Sequence, residues 1–82
     1  MYNPYGVYRE ILRLLQNDSG MTGHEMIKAS TKLSRWTIYT HLAMMEDKGW
    51  LRHEAFVVTG LGLTKRRYFI TNEGKREYDK AN

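Results

Sequence analysis

Two helical segments joined by a two-residue link, followed by two β-rich runs around a glycine-marked turn, predict an α+β fold. Helices joined so closely describe a helix-turn-helix, and the hairpin behind them describes its wing. The predicted architecture is a winged helix-turn-helix: a three-helix core, a two-stranded wing hairpin and a short C-terminal helix. It is read as a single domain over residues 1–82. A chain of 82 residues suits one small core. Its 41% hydrophobic and 27% charged residues are those of a folded globular domain.

The first helix opens at Asn3-Pro4, an N-cap followed by the residue best tolerated at the first helical position. Tyr2 and Val7 occupy hydrophobic-staple positions. The helix is expected to run to about Gln16 and to stop in Asn17-Asp18-Ser19-Gly20. It carries two apolar stripes, Val7, Ile11, Leu14 and Tyr5, Tyr8, Leu12, Leu15, with Arg9, Arg13 and Gln16 on the polar side. So wide an apolar arc fits a deeply buried helix. It equally fits a helix with one stripe, Tyr5, Tyr8, Leu12 and Leu15, turned to a homodimer partner.

Thr22-Gly23-His24-Glu25 is a capping box, with Met21 and Met26 at the staple positions. The short second helix places Met26, Ile27 and Ser30 inward and ends near Thr31, and Lys32-Leu33 forms the link. Ser34 is the N-cap of a third helix over residues 34–48. Ile38, Leu42 and Met45 recur at i, i+4, i+7 and make its buried face, flanked by Tyr39. Gly49 and Trp50 fit a Schellman ending, which sets Trp50 against Met45. Strands follow over residues 51–58 and 64–70, joined by Thr59-Gly60-Leu61-Gly62-Leu63. On the return strand Tyr68 and Ile70 share one face, and Arg67 and Phe69 the other. Thr71-Asn72-Glu73 caps a last short helix with an acid in its first turn, ahead of a frayed polar end.

The net charge is +4, and it is localised. Segments 32–53 and 54–71 each carry +2, whereas 1–31 and 72–82 balance. A basic footprint in mid-chain points to a polyanionic partner. The chain has no cysteine, hence no thiolate metal site or cysteine nucleophile. His24, His41 and His53 fit no metal-ligand spacing, no carboxylate pair flanks a cleft, and no glycine-rich loop is placed to cradle phosphate. An enzyme, a cofactor, a metal and a small-molecule ligand are therefore not expected. No apolar run reaches the roughly 20 residues of a membrane span, and residues 1–10 do not read as a signal peptide.

Four stretches resemble the PadR-like winged-helix transcriptional regulators. They are Ile11-Leu12-Arg13-Leu14-Leu15 with Gly23-His24-Glu25-Met26-Ile27, then Thr37-Ile38-Tyr39-Thr40-His41-Leu42, then Glu46-Asp47-Lys48-Gly49-Trp50-Leu51, and Lys65-Arg66-Arg67-Tyr68-Phe69-Ile70-Thr71-Asn72-Glu73-Gly74. Together they cover roughly residues 7–76. His24 stands where the family favours Tyr, and Thr40 where it favours Pro. Residues 72–82 are too short for the family's C-terminal dimerisation region, so the chain reads as a minimal form. The resemblance implies sequence-specific binding of double-stranded DNA in transcriptional control, as a repressor. It also implies a cytoplasmic, nucleoid-associated protein of prokaryotic or virus-encoded origin.

In a helix-turn-helix the second helix enters the major groove with its N-terminal residues nearest the base edges. With Ile38, Leu42 and Met45 inward, Arg35, Trp36, Thr37, Thr40, His41 and Met44 are outward. Arg reads guanine, Thr and His donate or accept at base or phosphate edges, and methyl groups meet thymine. Ser34 and Lys32 are phosphate candidates, and Tyr39 is placed to combine ring packing with a hydroxyl on phosphate. In the wing, taken as residues 59–67, Lys65, Arg66 and Arg67 are candidates for backbone or minor-groove contact. They also fit gatekeeping charges on an edge strand, and Trp36 also fits packing on the hairpin. The competing reading is a winged helix used for protein–protein contact, without DNA readout. Trp36, Met44, Leu61 and Leu63 are the residues that favour it.

Overall fold

The computed structural model describes residues 3–80. Its elements run α1 (Tyr5–Leu14), β1 (Met21–Thr22), α2 (Gly23–Ala29), α3 (Ile38–Asp47), β2 (Leu51–Val58), β3 (Leu63–Ile70) and α4 (Asn72–Lys80). This is the predicted winged helix, with one addition. The two-residue β1 pairs antiparallel with β3, Met21 opposite Tyr68 and Thr22 opposite Arg67, which gives a three-stranded sheet in the order β1-β3-β2. Two residues carry no periodicity, so nothing local announces β1.

The helix ends follow the local chemistry closely. Asn3 Oδ1 accepts from the Tyr5 N–H, but the N-cap position falls on Pro4, one residue later than expected. The Tyr2 half of the expected staple lies outside the described residues. At α2 the capping box closes both ways: the Glu25 N–H donates to Thr22 Oγ1, and Glu25 Oε1 accepts from the Thr22 N–H at 2.8 Å. At the end of α3, the Gly49 N–H donates to Glu46 O and the Trp50 N–H to Met45 O, with Gly49 at φ +81. Those are the two bonds of the Schellman motif.

The core draws on every layer. Ile11 and Leu12 of α1, with Leu15 at its C-cap, meet Met26 of α2, Ile38, Leu42 and Met45 of α3, and Leu51, Tyr68 and Ile70 of the hairpin. Trp50 packs against this cluster and meets the Tyr8 ring edge-on at 5.8 Å.

One expectation for the helices is corrected here. Tyr8, Leu12 and Leu15 are buried inside this chain, so that stripe is not a surface and only Tyr5 is exposed. A small three-helix core needs both stripes of its first helix, because too few other residues exist to close it. The fraying expected at the chain end falls in part on residues 81–82, outside the described residues. Residues up to Lys80 are helical, Tyr78 packs against the core, and the Arg9 guanidinium lies 4.4 Å from the Tyr78 ring centroid while donating to its carbonyl.

α4 docks through a close approach. Thr71 caps it by accepting from the Gly74 N–H, and the Thr71 hydroxyl donates to Gly49 O at 2.6 Å. A Cβ on Gly74 would lie 2.2 Å from Trp50 O, so only glycine lets α4 sit this near the start of β2.

A polar anchor fixes α1 against the helix-turn-helix. Glu10, buried, accepts from Arg13 Nε and Nη2 at 2.8 Å each, and from the Ser30 hydroxyl. Ser30 Oγ in turn accepts from the Lys32 N–H. The Arg13 and Ser30 hydrogen bonds hold the Glu10 carboxyl down from its ordinary 4.5 to about 2.

Candidate nucleic-acid interface

The segment between α2 and α3 sets the geometry of the outward residues. The third helix was expected from Ser34, but regular helix begins only at Ile38. Residues 35–37 form a turn instead, closed by the Thr37 and Ile38 N–H groups on Ser34 O. Ser34 still caps it, since its hydroxyl oxygen accepts from the Trp36 N–H at 3.1 Å. Thr37 stands at φ −121, outside helical geometry, which delays the regular helix by one turn.

That turn and the first turns of α3 present Lys32, Ser34, Arg35, Trp36, Thr37, Tyr39 and Thr40 on the surface. His41 is the exception and a correction to the predicted outward face. It is 5% exposed and meets the Tyr8 ring edge-on at 5.7 Å. The helical period explains this. Position 41 lies three residues after Ile38 and so belongs to the same i, i+3, i+4, i+7 stripe as Leu42 and Met45.

Trp36 does not pack on the hairpin. It is 82% exposed, and the Arg35 guanidinium lies 5.0 Å from its ring centroid. Tyr39 is 57% exposed, with its ring laid against Gly23 at the start of α2. It contributes surface rather than core.

The wing divides as a strand must. Arg66 alternates onto the same side as Tyr68 and Ile70. Arg67 turns the other way, 3.6 Å from Glu25 and with its guanidinium 5.3 Å from the Phe56 ring centroid. Lys65 and Arg66 are exposed. Among the described residues, Lys32, Arg35, Lys65 and Arg66 have no carboxylate within ion-pairing distance.

An open groove of about 560 Å³ joins these parts. It is lined by Thr22, Gly23 and His24 from the start of α2, Tyr39 of α3, and Thr64, Lys65, Arg66 and Tyr68 of the wing. The groove thus brings together Tyr39, Lys65 and Arg66, whose sequence separation hides their proximity. Thr22, His24 and Thr64 were not singled out from the sequence. The capping box could have suggested His24, since it fixes residue 24 at an exposed helix start. Among the described residues no group of three or more His, Cys, Asp or Glu could hold a metal. No helix there is long and apolar enough to cross a membrane.

A helix-turn-helix whose second helix shares a groove with a basic wing defines the winged-helix class. Solved structures place the fold more narrowly. PadR of Bacillus subtilis, determined in complex with operator DNA, superposes with a TM-score of 0.84 at 21% identity, over 95% of this chain and 47% of that one. A PadR family transcription regulator from Clostridium difficile R20291 gives 0.79 at 24% identity, over 92% and 81% of the two chains. A candidate transcriptional regulator from Thermoplasma acidophilum gives 0.78 at 27% identity, over 93% and 75%. No family model and no curated protein matches the chain. It spans about half the length of the Bacillus subtilis protein. The fold is that of the PadR-type winged-helix regulators, as the sequence motifs implied.

Proposed function

We propose that this chain is the double-stranded DNA-binding domain of a transcriptional regulator. The turn 35–37 and the start of α3 enter the major groove, where Arg35, Thr37 and Thr40 reach base edges. Lys32, Ser34, Tyr39, Lys65 and Arg66 hold the phosphate backbone. The observation that carries this reading is the groove of Tyr39, Lys65 and Arg66, in which both cations are left without a carboxylate partner among the described residues. The operator complex of the Bacillus subtilis structural relative supports it. Arg67, ion-paired with Glu25 of α2, is less free to reach DNA than Lys65 and Arg66. Regulation is by repression, from palindromic half-sites bound by two copies of the chain.

Electrophoretic mobility with random duplex DNA at low and moderate salt tests this. Retardation that weakens with salt is expected. A lack of retardation at low salt favours a second reading, contact with a protein partner. The exposed Trp36, Met44, Val57, Leu61 and Leu63 would support that alternative.

A further inference from the structure

Among the described residues Trp36 is the most exposed large hydrophobic side chain. Core packing does not hold it, for its one recorded ring partner is the neighbouring Arg35 guanidinium. An indole kept in water forfeits the gain of burial, which contact with a bound partner would recover. The surroundings indicate its chemistry. Arg35 lies against the ring and has no carboxylate within ion-pairing distance among the described residues, in the middle of the chain that holds the whole charge excess. A hydrophobic plane beside an unneutralised cation suits a polyanion that also offers a small apolar group.

The major groove offers one such group, the C5 methyl of a pyrimidine, beside the guanine edge that Arg reads. The stacked pair has Arg35 Cζ 5.0 Å from the Trp36 centroid. Base pairs are stacked about 3.4 Å apart, so two side chains at this separation fall within the span of two neighbouring steps.

We propose that Arg35 and Trp36 act as one reading unit, with Arg35 on a guanine and the Trp36 ring on the C5 methyl of the adjacent pyrimidine. Trp36 is then a specificity-determining residue. It recognises thymine, and by the same methyl it recognises 5-methylcytosine where cytosine would be poorly bound. This rests on the DNA-binding reading and adds to it the chemical feature that is read.

The test uses a duplex selected by the full chain from a random pool. Each thymine is replaced in turn by deoxyuridine, which removes only the methyl. At one position affinity is expected to fall about fourfold, the value of one buried methyl-sized group. That thymine adjoins the guanine whose preference is lost in Arg35→Ala. Trp36→Ala binds the thymine and uracil duplexes equally, while Trp36→Phe keeps part of the difference. Placing 5-methylcytosine at the same position restores more affinity than cytosine does. Circular dichroism of the variants verifies the fold. Selective duplex binding with no thymine–uracil difference at any position overturns the methyl reading and leaves DNA binding standing. So does a difference that survives Trp36→Ala. Failure of the chain to retain any duplex overturns both.

Discussion

At the residue scale, burial and pairing separate side chains that carry the fold from those left for a partner. Glu10 belongs to the first kind. Its carboxyl is held at about 2 by Arg13 and Ser30, so the folded state favours the charged form. The stability this group contributes is fully present above about pH 4.5 and is lost as pH falls toward 2. Urea midpoints measured across that window are expected to fall, and Glu10→Gln is expected to flatten the fall. The same variant should cost about 1.5–3 kcal/mol near neutrality, the range for hydrogen bonds to a charged group. Glu25 is lowered too, by the Thr22 N–H of the capping box, so some acid sensitivity remains in Glu10→Gln. Arg35 and Arg66 belong to the second kind, and their roles differ. Arg66→Ala should weaken all duplexes alike and reduce the slope of log affinity against log salt by about 0.9. Arg35→Ala should instead relax preference at one base pair, costing about 1–3 kcal/mol there. Titrating both variants against selected and scrambled duplexes at three salt concentrations checks the division. Identical behaviour would refute it.

At the element scale, the helices and the hairpin are set by caps and by glycine. Most of this was legible in advance. The capping box, the Schellman ending and the strands expected at 51–58 and 64–70 depend on residues within a few positions of one another, and β3 begins only one residue early, at Leu63. The start of α3 was less legible. Ser34 is a sound cap, yet Thr37 departs from helical geometry and leaves a turn that lifts Arg35 and Trp36 away from the core. The seating of α4 was not legible either, because it depends on Gly74 meeting a carbonyl twenty-four positions earlier in sequence. Gly74→Ala should cost about 1–3 kcal/mol, as overpacking does, without changing the surface of α3. Thermal unfolding measures the loss. DNA titration below the melting range should show the variant's affinity unchanged.

At the scale of the whole molecule, one core serves all the layers, and this decides what is left for assembly. The α1 stripe once available to a partner is consumed by the core. Leu12→Ala should therefore unfold the chain more easily, by about 2–5 kcal/mol. It should not merely dissociate a dimer. Sedimentation and chemical denaturation on the same sample separate the two outcomes, since a dimer-interface residue would leave the denaturation midpoint of the monomer unchanged. Any contact between two copies has to use other surface, of which Tyr5 on α1 is a part.

The sequence by itself determined the order of the helices and the hairpin, most of their caps and stops, the basic middle of the chain and the exposed residues that precede α3. These follow from hydrogen bonds and periodicities that span a turn or two. Tertiary structure alone decided that β1 pairs with β3 and that both α1 stripes are core. It also decided that Arg67 pairs with Glu25 while Arg66 faces the groove with Tyr39. Each of these joins residues far apart in the chain, and no local pattern carries the distance between them. His41 lies between the two cases. Its helical spacing was visible, but its burial depended on Tyr8 arriving from another helix to cover it.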